Sequence, residues 1–283
     1  MIFDKAQLKK LYFPHKDSSG EDNGQVTIIG GSSLFHGAPL FGLIVASRIV
    51  DMVFFSSPEK SVGMIAESLK SKLFSFIWVP WNEVESYVEK SDAILIGPGF
   101  MRYHSEKTPY DKRFEICDEV CMETKKITES LLKKFPNKKW VIDAGSLQTI
   151  TPDVIPENAI LTPNKKEFKL LFGAEFSHDV ASKKAKEYNC IIVVKGPVTF
   201  VFSKDEVFEI HGGNAGLTKG GTGDTQAGLT VALLAKNDPV LSACAGSFII
   251  KYTADELQKK VGFYYNSDDL ASKIPEALNK LIN

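Results

Sequence analysis

The sequence predicts an α/β fold with a mostly parallel central sheet and helices on both faces. Three observations predict it. Short apolar runs alternate with segments of helical periodicity along the chain. Several of those runs end in glycine-containing turns. Two late runs, 199–202 and 207–210, lie close enough to form a hairpin and so place antiparallel strands at one edge. Strands alternating with helices build a parallel sheet covered on both sides.

In chain order, residues 26–29 are short, apolar and followed by glycines, as a buried strand would be. Residues 40–50 are apolar nearly all round and predict a buried helix. Residues 52–55 and 73–79 are rich in branched and aromatic side chains and predict strands. Residues 92–96 run into Gly97-Pro98-Gly99, a strand ending in a turn. Residues 114–135 carry apolar positions at helical spacing. Residues 140–143, 158–161 and 190–194 are further strands. Residues 224–235, 241–257 and 274–281 are helical in pattern, with Pro275 tolerable in a first helical turn. In such sheets ligands bind outside the carboxyl ends of the strands. That rim collects residues 30–37, 97–99, Asp143, residues 162–167 and residues 195–199.

Composition narrows the function classes. The 283 residues are 43% hydrophobic and 24% charged, with a net charge of −1. This is ordinary for a soluble globular protein, and excludes disorder or a disulfide scaffold as the main class. The near-neutral balance argues against a dedicated nucleic-acid or membrane-surface binder. The most apolar helical stretch, 42–55, is interrupted by Arg48 and Asp51 and is shorter than the roughly 20 residues a bilayer demands. The start of the chain carries Asp4 and no long apolar run, unlike a secretory signal. Four cysteines, at 117, 121, 190 and 244, read as reduced thiols of a cytoplasmic protein. Cys117 and Cys121 share an otherwise apolar helical face and lack partners at zinc spacing, so they are expected to be structural. With no repeat or linker in view, 1–283 is expected to be one domain. Residues 1–23 form an extension, helical or packed on that domain.

The most informative segment runs from His211 to Leu229. Seven of the 21 glycines fall between 212 and 228, more than turn-making requires. Gly220, Gly221 and Gly223 precede a helical pattern that starts near Asp224. Glycines let backbone N–H groups approach a ligand closely, and a helix N-terminus adds free donors and partial positive charge. Together they make an anion hole suited to phosphate. Asp224 sits beside it, where a carboxylate can act as general base toward a hydroxyl. An N-cap role would explain Asp224 alone, but not the glycine density. Neither the Walker loop nor the dinucleotide-binding glycine fingerprint is present.

Gly220-Gly221-Thr222-Gly223-Asp224 followed by Ala227-Gly228 resembles the signature of the ribokinase-like superfamily. Within it, the chain resembles the ADP- or ATP-dependent NAD(P)H-hydrate dehydratases. Ile29-Gly30-Gly31-Ser32 with Gly37-Ala38-Pro39 is similar to that family's first strand-loop-helix. Ile96-Gly97-Pro98-Gly99, Asp143-Ala144, Leu161-Thr162-Pro163 with Glu167-Phe168, and Lys195-Gly196 with Thr199 match further family motifs in order. Three positions depart from the pattern. Asn164 stands where the family usually has His, and Lys166 where it has Gly. Asn214-Ala215-Gly216-Leu217 stands for its N-P-G-M. Asn164 and Glu167 instead resemble the N-x-x-E motif of ribokinase-like kinases.

The resemblance implies a three-layer ribokinase-like sandwich and a dehydratase that repairs hydrated NADH or NADPH through a phosphorylated intermediate. It implies Asp224 as the catalytic base. Lys195, Gly196, Pro197, Val198 and Thr199, with Gly220, Gly221, Thr222 and Gly223, would bind ADP or ATP. Ala38, Gly99, Asn164 and Asp224 would bind the substrate. Asn164, Glu167 and Asp143 would organise Mg2+ or phosphate. His36 and His211 are weaker candidates for ligand contact. A homo-oligomer, a tetramer by resemblance, is expected, and any epimerase is expected on another chain. Two alternatives stay open: a kinase of the same fold acting on a sugar or vitamin-precursor hydroxyl, and a nucleotide-binding sensor without catalysis.

Overall fold

The computed structural model describes residues 1–102 and 119–282. Among these, nine strands form one sheet in the order β3-β2-β1-β4-β5-β6-β7-β8-β9. The strands are β1 (Gln25–Ile29), β2 (Met52–Ser56), β3 (Ile77–Trp78), β4 (Ala93–Ile96), β5 (Lys139–Ile142), β6 (Ile160–Leu161), β7 (Ile191–Val194), β8 (Thr199–Phe202) and β9 (Val207–Ile210). All pairings from β3 through β7 are parallel. The hairpin β8–β9 adds the antiparallel edge the sequence predicts.

The strand sequences are apolar on both faces because both faces are covered. In β4, Ala93 and Leu95 join one core cluster while Ile94 and Ile96 join another, the period-2 alternation of a pleated strand. The first cluster includes side chains of α1 (Gly37–Ala46), α2 (Lys60–Leu69), α8 (Thr222–Leu234), α9 (Pro239–Val261) and α10 (Ser267–Ile282). The second includes side chains of α3 (Val84–Lys90), α4 (Glu119–Lys134), α5 (Ala144–Thr149), α6 (Lys165–Phe172) and α7 (His178–Glu187). Each fully buried Ile or Leu contributes about 1.5–3 kcal/mol of transfer free energy, so the two cores rather than helix propensity hold these layers.

Helix α8 is buried nearly all round, which is why its sequence shows no polar face. At its carboxyl end Lys139 Nζ donates to Leu234 O (3.1 Å) and Asn237 O (3.3 Å), and Asn237 Nδ2 donates to Leu233 O (2.7 Å). These bonds satisfy carbonyls that a helix end leaves without partners. The first residues attach to β9: Phe3 N donates to Glu209 O (3.0 Å) and Glu209 N to Met1 O (2.8 Å). Leu8 and Leu11 of the turn that follows are buried.

Several expectations need correction. Of 73–79 only Ile77–Trp78 pairs as a strand, and Phe74 is 82% exposed. The last helix begins at Ser267, so Pro275 lies in its interior. Asn266 starts it, accepting from Asp269 N (3.0 Å) while Asp269 Oδ2 accepts from Asn266 N (2.9 Å). Cys190 and Cys244 are buried free thiols, but Cys121 is disulfide-bonded, which overturns the expectation of four reduced thiols. Cys117, His104 and the start of the 114–135 helix lie outside the described residues. Among the described residues no helix is long and apolar enough to cross a membrane.

Strand order reverses between β1 and β4. The chain runs outward from β1 to β2 and β3, then returns to β4 on the other side. At such a switch point the loops diverge and leave a crevice at the carboxyl ends of the strands.

Candidate active site

The loops after β1, β4 and β5 meet at that crevice. Gly31 N donates to Pro98 O (2.8 Å) and Asp143 N to Ile96 O (3.0 Å). Gly97 takes φ +117°, and a Cβ there would lie 1.9 Å from Asp143 O, so only glycine lets the two loops touch. A Cβ at Gly99 would meet Phe35 O and Pro39 Cδ, which sets Gly99 against the start of α1, where Ala38 lies. His36 occupies the position before α1 and makes no side-chain cap.

Helix α8 begins beside α1. Gly221 is its N-cap, at φ +88°, and a Cβ there would come within 2.5 Å of the Phe41 ring. A left-handed, side-chain-free residue is therefore required where the chain turns into α8. Thr222 Oγ1 donates back to Leu217 O (2.7 Å) and Lys219 O (2.9 Å), and Ser267 Oγ donates to Gly220 O (2.6 Å). These bonds hold the glycine loop in place.

Four ionisable groups converge under this N-terminus. Lys195, next after β7, places Nζ 3.0 Å from Asp143 Oδ1. A Cβ on Gly223 would sit 3.3 Å from the same Nζ, so the ammonium lies at the first turn of α8. Asp143 Oδ1 also accepts from Thr162 Oγ1 (2.6 Å). Burial works against the Lys195 charge, but Asp143, Glu167 and Asp224 outweigh it and hold its pKa above the usual lysine value. Asp224, in the first turn of α8, is pushed up to about 7 by burial and by the neighbouring Asp143 charge, against the pull of Lys195. Burial, with Asp143, likewise raises Glu167.

Asn164 and Glu167 form a capping box at the start of α6. Asn164 Oδ1 accepts from Lys166 N (2.8 Å) and Glu167 N (3.0 Å), and Glu167 Oε2 accepts from Asn164 N (2.9 Å). Gln148 Nε2 donates to Glu167 Oε1 (3.2 Å). Among the described residues no group of three or more His, Cys, Asp or Glu is arranged to hold a metal. A dedicated protein cage is absent from them. Mg2+ carried chiefly by phosphate oxygens would need only one or two carboxylates.

A pocket of about 690 Å³ opens beside the N-terminus of α8. Asn164, Lys195, Gly196, Pro197, Thr199, Thr222 and Gly223, all singled out in the sequence, line it. Gly220, Gly221 and Asp224 adjoin that lining through the chain, and Val198 lies within its turn. Ala38 and Gly99 belong to the crevice on the α1 side instead. The sequence did not point to Lys251, Gln226 or Ile250, which also line the pocket. The only available signal was a lysine inside an apolar helical run. His211 lies outside that lining, its ring 3.1 Å from Glu209 Oε2.

This sheet order with the glycine-capped helix is a ribokinase-like α/β fold. A ribokinase-like superfamily protein from Enterococcus faecalis has the same fold, with a TM-score of 0.79 at 21% identity over 99% of this chain and 95% of that one. The chain belongs to the NAD(P)H-hydrate dehydratase family, whose model matches residues 26–276. It is 34% identical to the bifunctional NAD(P)H-hydrate repair enzyme Nnr of Methanocaldococcus jannaschii over 96% of this chain. It covers 52% of that relative, so the chain spans about half the length of the repair enzymes it matches. It is also 28% identical to the ADP-dependent (S)-NAD(P)H-hydrate dehydratase of Nitrosopumilus maritimus, over 94% of this chain and 93% of the relative. An ADP/ATP-dependent NAD(P)H-hydrate dehydratase from Bacillus subtilis, co-crystallized with ATP/Mg2+, shares the fold with a TM-score of 0.80 at 20% identity, over 99% of this chain and 98% of that one.

Proposed function

We propose that this chain dehydrates hydrated NADH or NADPH at the expense of ADP or ATP. The observation that carries the reading is Asp224. It is a carboxylate with its pKa near neutrality, two residues past Thr222, the first residue of the glycine-capped α8, and near the Lys195 ammonium. A base of that pKa can take a hydroxyl proton at physiological pH. The hydrated ring carries a hydroxyl at carbon 6, and hydroxide leaves poorly. Asp224 takes the hydroxyl proton as the oxygen attacks the terminal phosphorus, and the bond from phosphorus to the bridging oxygen breaks. Loss of phosphate from carbon 6 and of a proton from carbon 5 then restores the ring double bond.

Backbone N–H groups at Gly221 and Gly223, with Lys195, stabilise the charge on the transferred phosphoryl group. The turn 195–199 and Gly220 to Gly223 hold the nucleotide. Ala38 and Gly99 border the hydrated dinucleotide, with Asn164 and Asp224 on its other side. Asp143 and the Asn164–Glu167 pair would order the surroundings of Mg2+ carried by the nucleotide, which would supply neutralising charge to the phosphates. The setting we assign is one cytoplasmic domain in a homo-oligomer.

The test is to incubate the purified chain with hydrated NADH and each nucleotide and follow recovery of NADH absorbance. A stable phosphorylated product without that recovery would favour the kinase. Tight nucleotide binding without turnover on either candidate would favour a sensor. The pH dependence has a sign: Asp224 must be deprotonated, so kcat should rise with pH through about 7 and reach a plateau above it. A rate independent of pH between 5.5 and 8.5 would remove Asp224 as the base.

A further inference from the structure

We infer that Lys251 and Asp255 are positioning residues, one face of α9 that locks the two loops walling the nucleotide pocket. The inference rests on reading that pocket as the nucleotide site. Lys251 is 5% exposed, among the buried Ile249, Ile250 and Ala254 of the same helix. Its Nζ donates to Gly196 O (3.1 Å), Pro197 O (2.7 Å) and Gly212 O (3.0 Å). An ammonium has three donors, so all are engaged with backbone and none remains for a ligand.

The three acceptors come from two loops. Gly196 and Pro197 belong to the turn after β7, and Gly212 follows β9; the β8–β9 hairpin separates them. One helical turn along α9, Asp255 accepts from Gly213 N (2.9 Å) and Asn214 Nδ2 (3.2 Å). Asn214 Oδ1 in turn accepts from Tyr265 OH (2.7 Å) and Gly216 N (3.0 Å). The lysine therefore fixes carbonyls on both walls, and the aspartate fixes the N–H side of one of them.

Burying a lysine is costly unless its hydrogen bonds are complete. The geometry completes them and also serves the pocket. Three carbonyl oxygens bordering a polyanion site would repel phosphate, and the ammonium cancels that negative charge. Burial lowers the Lys251 pKa, against the opposing pull of the Asp255 charge.

Lys251→Met, Lys251→Arg and the unaltered chain are compared by ADP titration calorimetry, steady-state kinetics and thermal melting. In Lys251→Met the KM for nucleotide should rise at least about tenfold, and kcat at saturating nucleotide should fall by a smaller factor. Lys251→Arg, which keeps the charge and donors, should restore part of the affinity. A lysine serving only stability would lower the melting temperature and the active fraction and leave KM unchanged; that result overturns the inference. If Lys251→Met does not fold, Asp255→Asn is tested in its place, and an unchanged nucleotide KM there overturns it equally. If the unaltered chain binds neither ADP nor ATP, the nucleotide reading itself fails and the inference falls with it.

Discussion

Asp224→Asn is expected to lower turnover by about 100- to 10,000-fold, the usual worth of general-base assistance. The amide is nearly isosteric, and Gly221, not Asp224, is the residue that turns the chain into α8. The anion hole should therefore survive, and the nucleotide dissociation constant should move by less than about tenfold. Stability should move the other way. Burial and the Asp143 charge push the folded Asp224 carboxyl up to about 7, well above the ordinary aspartate range. A carboxyl with a raised folded pKa favours the native state at low pH, and that favour is lost as pH rises from about 4 through about 7. At pH 8 the wild type carries the full penalty of a buried charge and Asp224→Asn does not. The variant should melt at a higher temperature than wild type at pH 8 and at a similar temperature at pH 4. Near-normal turnover in the variant would reduce Asp224 to a helix-end residue and end the mechanism proposed.

Asp143→Ala should produce the largest loss of stability. Asp143 is 1% exposed, and its Oδ1 serves Thr162 and Lys195 together. Removing one partner of a buried pair typically costs about 3–5 kcal/mol, because the other charge is left behind. Glu167 and Asp224 stay near Lys195 and soften this, so the low end, about 3 kcal/mol, is expected. In a chain of this size that is a drop of roughly 5 °C in melting temperature. A second readout separates stability from chemistry. Asp143 raises the Asp224 pKa, so its removal should shift the acid limb of the kcat profile toward lower pH. If Asp143→Ala folds too poorly to assay, Asp143→Asn carries the same pH test. An unchanged melting temperature with an unchanged pH profile would show that the four groups do not act as a cluster.

The sheet was legible because its strands are buried on both sides. Runs such as 93–96 and 191–194 have no polar face and end at glycines or a charged rim residue. The edge was less legible. Residues 73–79 are strand-like in composition, but at the last position of the sheet only β2 can pair with them, and it reaches just two residues. Helices α2 and α3 were missed because each is short, although Val62, Ile65, Ala66 and Leu69 of α2 do stand at helical spacing. Pro275 misled by rule: a proline opens helices more often than it sits inside them, yet the Asn266–Asp269 box starts α10 earlier. At the site, Lys195, Asp143 and Asp224 could be named from strand ends and glycine density. Their convergence could not, since it depends on which strands are neighbours. Lys251 was hidden because its partners are main-chain carbonyls, which leave no mark in a sequence.

Lys139 gives α8 a property that reaches past its own hydrogen bonds. A free helix offers a phosphate two opposed partial charges, and at a distance their fields nearly cancel. Here the carboxyl end is met by a cation that holds the carbonyls of Leu234 and Asn237. With that pole neutralised, the partial positive charge of the amino end is less offset, and it works against the negative charge that Asp143, Glu167 and Asp224 bring to the same place. A residue at the far end of the helix would thereby temper the repulsion that the acids offer an arriving anion, and so bear on capture as well as stability.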